Sequence, residues 1–118
     1  MSIFTIYHNP RCSKSRQTLA LIEQNNIVPT IVEYLKVPLT EDEIVNLKEK
    51  LGYTSFIEMM RTKEAEFKEH GLSKNSNEDS LVKAMAASPK LIERPIVTKG
   101  EKAIMGRPPE NVLDLIND

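Results

Sequence analysis

The stretch IFTIYHNPRCSKSR, residues 3–16, contains the signals that decide the fold. Its first five residues are β-prone, and the His-Asn-Pro that follows is typical of a turn. Beyond this stretch, leucine and isoleucine recur at helical spacing until the Asn-Asn pair at 25–26, and a second β-prone run occupies residues 30–34. A strand, a helix and a strand with short connections predict a βαβ unit whose strands are parallel.

The segment from about residue 39 to residue 92 predicts a helical insert. Thr40 and Glu43 match a capping box at the start of an amphipathic helix, and Gly52 suits the position just after its last turn. Two further helical stretches are expected, near residues 55–61 and 78–87.

The last part of the chain predicts a β-hairpin around Lys99-Gly100 and a final helix that begins at the Pro-Pro pair at 108–109. The order of elements is therefore βαβ, helical insert, ββα. One mixed sheet that joins a parallel unit to an antiparallel hairpin, with helices packed on it, is an α/β architecture of the thioredoxin-like (glutaredoxin-like) type. We expect residues 1–118 to form a single domain of this type. Pro95 stands where that fold has a cis-proline facing the active-site cysteine.

Composition and charge exclude several classes of protein. The 118 residues include 16 Lys+Arg and 17 Asp+Glu, and the net charge of −1 provides no overall field for nucleic acid or an anionic membrane. The sequence shows no signal peptide and no apolar run as long as a membrane span. One cysteine cannot form an internal disulfide, and without a Cys/His cluster no metal site is expected. We expect a cytoplasmic monomer that holds no bound cofactor.

The single cysteine, Cys12, is expected at the first turn of the first helix. Free backbone N–H groups and the positive end of the helix dipole stabilise an anionic sulfur there, and Arg11, Lys14 and Arg16 add positive charge. The thiolate is the nucleophilic form of cysteine, and the same N–H groups can hold a tetrahedral oxyanion. These polar neighbours argue against the alternative that Cys12 is a small core residue.

His8 and Ser15 flank this cysteine, and each has two interpretations. His8, four residues before the thiol, either polarises it or satisfies backbone groups of the turn. Ser15, three residues after it, either donates a hydrogen bond to the sulfur or caps the helix.

Three arginines are candidates for binding an oxyanion. Arg94 and Arg107 each precede a proline, which favours extended backbone and projects the side chain at a strand end. Arg61 ends an apolar helical stretch. Guanidinium groups bind tetrahedral oxyanions bidentately, so the three have this function if the fold brings them to Cys12; otherwise each is an ordinary surface arginine.

Four motifs together resemble those of arsenate reductases of the glutaredoxin-coupled type. They are IYHNPRCSKSR at 6–16, MMR at 59–61, ERPIV at 93–97 and GRPP at 106–109. The resemblance extends over nearly the whole chain. It implies an oxidoreductase for arsenic detoxification, with a thioredoxin fold.

The resemblance also implies a role for each candidate residue. Cys12 would be the nucleophile that attacks arsenate, and His8 and Ser15 would lower its pKa. Arsenate and the arsenite product would be bound by Arg61, Arg94 and Arg107. Because no second cysteine is present, an external thiol must release the product. The family uses glutathione as co-substrate and glutaredoxin as reductant, so both are expected partners.

Two other functions remain open at this point. A glutathione-dependent monothiol oxidoreductase of another substrate would share the Cys-x-x-Ser pattern of residues 12–15. A transcription regulator of the Spx type, which binds RNA polymerase, has the same fold but usually carries Cys-x-x-Cys, and here Ser15 replaces the second cysteine. A low-molecular-weight phosphatase requires Cys-x5-Arg, and Thr18 stands at the position of that arginine.

Overall fold

The computed structural model describes residues 3–118. Its strands and helices, in chain order, are β1 (Phe4–Tyr7), α1 (Ser13–Gln24), β2 (Thr30–Val32), α2 (Glu41–Leu51), α3 (Ala65–Glu69), α4 (Glu78–Ala87), β3 (Ile96–Lys99), β4 (Lys102–Met105) and α5 (Val112–Ile116). Short 3-10 turns occupy Phe56–Met59, Pro89–Leu91 and Pro109–Asn111. Within this described part of the chain, no helix is long and apolar enough to cross a bilayer.

Two compact units make up the chain. The first consists of the residues up to Val37 together with Arg94–Asp118, and the second is Pro38–Glu93. The insert predicted at about 39–92 falls within the second unit, and the interpretation as a single domain stays a prediction.

The first unit contains a four-stranded mixed sheet in the order β2-β1-β3-β4. β1 is parallel to β2 and antiparallel to β3, and β3 is antiparallel to β4. This is the predicted parallel unit joined to an antiparallel hairpin, and the α/β, thioredoxin-like fold class is confirmed.

Helices α1 and α5 pack on one face of this sheet. The buried side chains of the core are Phe4, Ile6, Ile22, Val97, Val112 and Leu115. Burying each of them stabilises the fold by roughly 1.5–3 kcal/mol. α1 ends at Gln24 as expected, and Asn26 after it adopts a positive φ of 62°. The core therefore anchors the helix whose first turn follows Cys12.

Strand β2 is shorter than the predicted run of residues 30–34. It pairs only with β1, and the register ends where Tyr7 lies opposite Val32. Since the chain turns away after His8, whose N–H donates to the carbonyl of Val32, Glu33 and Tyr34 have no strand to pair with. The β-prone side chain of Tyr34 is instead buried beyond the strand end.

Helix α2 of the second unit begins and ends as predicted. The Thr40 hydroxyl accepts from the N–H of Glu43, the Glu43 carboxylate accepts from the N–H of Thr40, and both bonds of the capping box are present. Gly52 follows the helix in the left-handed conformation, with φ 76°. Helix α4 matches the predicted stretch at 78–87.

The prediction of a helix near residues 55–61 is wrong. Phe56–Met59 forms a 3-10 turn, and Met60 then pairs with Ile92 in an antiparallel bridge. The N–H of Arg61 donates to the Leu91 carbonyl at 2.7 Å, so the backbone there is already paired and cannot continue a helix. The short helix α3 was not predicted.

The C-terminal elements follow the prediction closely. The hairpin of β3 and β4 turns at Gly100, which has a φ of 60° that glycine adopts without strain. The final helix is preceded by the 3-10 turn at Pro109–Asn111, so the proline pair starts the turn rather than α5 itself.

Candidate active site

Cys12 is the N-cap residue of α1. Its backbone is extended (φ −92°, ψ 123°), and its N–H donates to the carbonyl of Asn9 at 3.0 Å. The thiol is partly exposed. Its side chain forms no conventional capping hydrogen bond. The N–H groups of Lys14 and Ser15 nevertheless interact with the sulfur, where an N-cap oxygen usually lies. The predicted position at the helix start is confirmed.

The surroundings of Cys12 lower the pKa of its thiol. Partial burial is the largest single influence and acts to raise the pKa. It is outweighed by the backbone N–H of Ser15, by a hydrogen bond and the charge of the Arg94 guanidinium, and by the N–H of Lys14, which all favour the anion. The site therefore favours a thiolate.

The cation among the main influences on the Cys12 thiol is not one of its neighbours in the sequence. Arg11, Lys14 and Arg16 are all exposed, and Arg16 donates to the carbonyl of Pro10 at 2.9 Å. The charge that lowers the thiol pKa belongs to Arg94, which the fold brings from the start of β3. The expectation that the three flanking side chains stabilise the thiolate therefore stays a prediction, because none of them is among the main influences on the thiol pKa.

His8 and Ser15 form a buried pair under the loop that carries Cys12. The Nδ1 atom of His8 lies 2.6 Å from the Ser15 hydroxyl oxygen, which also accepts from the N–H of Asn9 at 3.1 Å. The Ser15 hydroxyl thus bonds to His8 and Asn9, while its backbone N–H faces the sulfur. Burial lowers the pKa of His8, the carboxylate of Glu33 partly opposes this, and the charge of Arg16 adds to it, so the neutral ring is favoured.

Arg94 and Arg107 lie together in the first unit. The Nη1 atom of Arg107 donates to the backbone carbonyl of Arg94 at 3.3 Å. Each precedes a proline across a cis peptide bond, Arg94-Pro95 and Arg107-Pro108. Arg107 is exposed, whereas Arg94 is half-buried and reaches the sulfur. Two of the three predicted arginines are thus brought to the strand ends of the unit that contains Cys12.

Arg61 belongs to the second unit. Its Nε lies 3.1 Å from a carboxylate oxygen of Glu64, and its Nη1 lies 3.7 Å from one of Glu93. About a quarter of the side chain, 26%, is exposed. The two carboxylates hold the guanidinium in one orientation.

Two residues to which the sequence analysis gave no role in this site, Asn9 and Thr18, support it. The carboxamide oxygen of Asn9 accepts from the N–H of Arg11 at 3.0 Å and orders the loop before Cys12. The hydroxyl of Thr18, fully buried on α1, donates toward the carbonyl of Gly106 at 3.2 Å. The role of Asn9 could have been found from the sequence, because Asn-Pro is a recognisable turn signal. The contact of Thr18 with Gly106 joins distant parts of the chain, and no local pattern indicates it.

Comparison with known proteins identifies relatives over almost the whole chain. The model of the ArsC family matches residues 7–115. An arsenate reductase of Haemophilus influenzae is 46% identical over 112 residues, covering 94% of this chain and 97% of its own. The uncharacterized protein YfgD of Escherichia coli is 48% identical over 112 residues, covering 94% of both chains.

A solved structure shows the same fold. The arsenate reductase from Vibrio cholerae superposes with a TM-score of 0.90 at 47% sequence identity. The superposition covers 94% of this chain and 95% of the other.

Proposed function

The chain belongs to the ArsC family, and we propose that it reduces arsenate to arsenite through a covalent adduct on Cys12. The observation that carries this proposal is the contact between the Arg94 guanidinium and the Cys12 sulfur at the first turn of α1. A nucleophilic anion and a cation that binds oxyanions lie side by side there. The proposed substrate, arsenate, is taken from the relatives that are named arsenate reductase.

The first step is substitution at arsenic. Arg94 and Arg107 bind the oxygens of arsenate, and the N–H groups at the start of α1 donate hydrogen bonds to the anion. The Cys12 thiolate attacks arsenic and hydroxide leaves, which gives a sulfur–arsenic(V) adduct. Arsenic keeps its oxidation state in this step, because one oxygen ligand is exchanged for sulfur.

The reduction itself needs two electrons from outside the chain. One external thiol displaces hydroxide from arsenic, and a second attacks the sulfur of the first, so that a disulfide leaves and the electron pair of the broken As–S bond stays on arsenic(III). Water then displaces the Cys12 sulfur from arsenic(III). Arsenate and two thiols thus give arsenite, one disulfide and water, and Cys12 is returned as a thiolate. Since Cys12 is the only cysteine, we propose glutathione as co-substrate and glutaredoxin as the protein that completes the disulfide.

The remaining residues have supporting roles in this proposal. His8 and Ser15 hold the loop so that the N–H of Ser15 faces the sulfur and keeps its pKa low. For Arg61, which forms ion pairs with Glu64 and Glu93, binding of arsenate or arsenite is proposed from its motif at 59–61 alone. We propose that the protein acts in the cytoplasm as a monomer and binds neither nucleic acid nor membrane.

The test is arsenite production from arsenate with glutathione, measured with and without glutaredoxin. Wild-type protein should produce arsenite, and the rate should rise with glutaredoxin. Cys12→Ser should produce none while its circular dichroism spectrum stays that of the wild type. No arsenite from the wild type, together with normal disulfide exchange with glutathione, would instead identify the monothiol oxidoreductase of another substrate.

A matched pair of arginine variants tests the binding site. Arg94→Ala should raise the arsenate KM more than it lowers the melting temperature. Arg11→Ala removes a cation adjacent to Cys12 in the sequence and should leave KM within about twofold, because exposed charges act weakly through water. Equal KM changes in the two variants would show that general positive charge, and not contact with the substrate, determines binding.

A further inference from the structure

In the segment Met105–Arg107, each of three successive backbone carbonyls accepts a hydrogen bond from a side chain. Thr18 on α1 donates toward the Gly106 carbonyl. On either side of it, the Asn111 carboxamide donates to the Met105 carbonyl at 3.3 Å and to the Arg107 carbonyl at 3.1 Å. Asn111 lies only a few residues along the chain, whereas the bond from Thr18 joins this segment to the helix that begins after Cys12.

The same segment is also held against the residue that follows Arg94. The N–H of Gly106 donates to the carbonyl of Pro95 at 2.9 Å. A Cβ atom at Gly106 would lie 2.9 Å from the Pro95 ring and 2.8–2.9 Å from both branches of the Thr18 side chain. The backbone at Gly106 therefore packs directly against the side chains of Thr18 on α1 and of Pro95 before β3.

The position of Thr18 gives its hydroxyl a role beyond the helix. The side chain is fully buried, and its single hydroxyl hydrogen is shared between the Lys14 carbonyl at 2.8 Å and the Gly106 carbonyl at 3.2 Å. Lys14 belongs to the first turn of α1, whose N–H groups face Cys12. One hydroxyl thus touches the turn that holds the sulfur and the carbonyl just before Arg107.

We propose that Thr18 is a positioning residue for the oxyanion site, whose hydroxyl sets where Arg107 and Arg94 stand relative to Cys12. This inference rests on the proposed function, since the positions it sets are those of the arsenate-binding groups. Thr18 does not touch the substrate; it acts through the Gly106 backbone. A displacement of about 1 Å at reacting groups is enough to change rates strongly, so loss of this bond should weaken binding of the oxyanion.

The test compares Thr18→Ser with Thr18→Ala, because the two variants differ only in the hydroxyl. Thr18→Ala should raise the arsenate KM roughly tenfold with a smaller change in kcat, whereas Thr18→Ser should stay close to wild type. Thr98→Ala, which truncates another buried threonine of the first unit, is the control and should leave KM unchanged. Equal KM for Thr18→Ser and Thr18→Ala, or an equal rise in Thr98→Ala, would overturn the proposal.

A second measurement is independent of arsenate. The Gly106 N–H, bonded to Pro95, should exchange with deuterium roughly tenfold faster in Thr18→Ala than in Thr18→Ser, as followed by NMR. Unchanged exchange would overturn the role of Thr18 even if KM moved. If the wild type neither binds nor reduces arsenate, the proposed function fails, and this exchange rate still decides the role of Thr18. If Thr18→Ala does not fold, Thr18→Val, which keeps the branched shape of the side chain and lacks the hydroxyl, should raise KM and speed Gly106 exchange in the same way.

Discussion

The Nδ1 atom of His8 lies 2.6 Å from the hydroxyl oxygen of Ser15, in a position closed to solvent. The two residues come from opposite sides of the loop that carries Cys12, one from the end of β1 and one from the first turn of α1. The Asn9 N–H shares the same hydroxyl. This buried network fixes the first turn of α1, and so the N–H groups that face the sulfur.

Ser15→Ala should destabilise the protein by about 1–3 kcal/mol, because the buried His8 ring and Asn9 N–H lose their partner. Ser13→Ala is the control, since Ser13 is exposed on the same turn and should change stability by less than about 0.5 kcal/mol. Urea denaturation followed by circular dichroism measures both. Equal stabilities of the two variants would mean that the Ser15 hydroxyl contributes nothing to the loop.

His8 should remain neutral to a lower pH than an exposed histidine, whose pKa is about 6.5. Burial lowers the pKa of its ring in the folded protein, so the unfolded chain binds the proton first as the pH falls. The contribution of neutral His8 to the free energy of unfolding is therefore fully present above pH about 6.5. It is lost as the pH falls from there through the pKa of the folded protein. The resonance that disappears in His8→Gln assigns the NMR titration. A midpoint above 6.5 would contradict burial as the dominant influence.

Arg94→Ala should raise the pKa of the Cys12 thiol, because the thiolate loses a hydrogen bond and a neighbouring positive charge. Titrating the thiolate by its absorbance near 240 nm, with Cys12→Ser as blank, measures the shift. Arg16→Ala should move the midpoint less, since its guanidinium is exposed and bonds to the Pro10 carbonyl. A larger rise of the thiol pKa in Arg16→Ala than in Arg94→Ala would show that the flanking cations are the main cause of the low pKa.

Gly106→Ala should destabilise the protein by about 1–3 kcal/mol and raise the arsenate KM, because the new methyl group would overlap Thr18 and Pro95. Gly100→Ala at the opposite end of the hairpin meets no atom within 4 Å, but its positive φ makes alanine unfavourable by roughly 1–2 kcal/mol. Comparing the two variants separates an effect on KM that follows from lower stability from one that follows from a changed arsenate site. A KM change of the same size in both variants would refute a local effect at Gly106.

Local patterns account for the elements that were predicted correctly. The capping box of Thr40 and Glu43 and the placement of Cys12 at a helix start depend on residues within one turn of each other. Such interactions can be predicted from a single stretch of chain. Strand β2 and residues 55–61 depend instead on pairing partners. Tyr34 has no strand opposite it, and Met60 pairs with Ile92, which no local pattern indicates.

The sequence by itself determined that a lone thiol would stand at the first turn of a helix after a buried strand, and that Arg94 and Arg107 each precede a proline. Only the tertiary structure decided that the guanidinium of Arg94, which is distant in the sequence, acts on the thiol. It also decided that the Ser15 hydroxyl bonds to His8 and Asn9, and that Thr18 meets Gly106. The physical reason is that a side chain next to the thiol in the sequence can extend into water, whereas one held by the packed ends of two strands has a fixed direction.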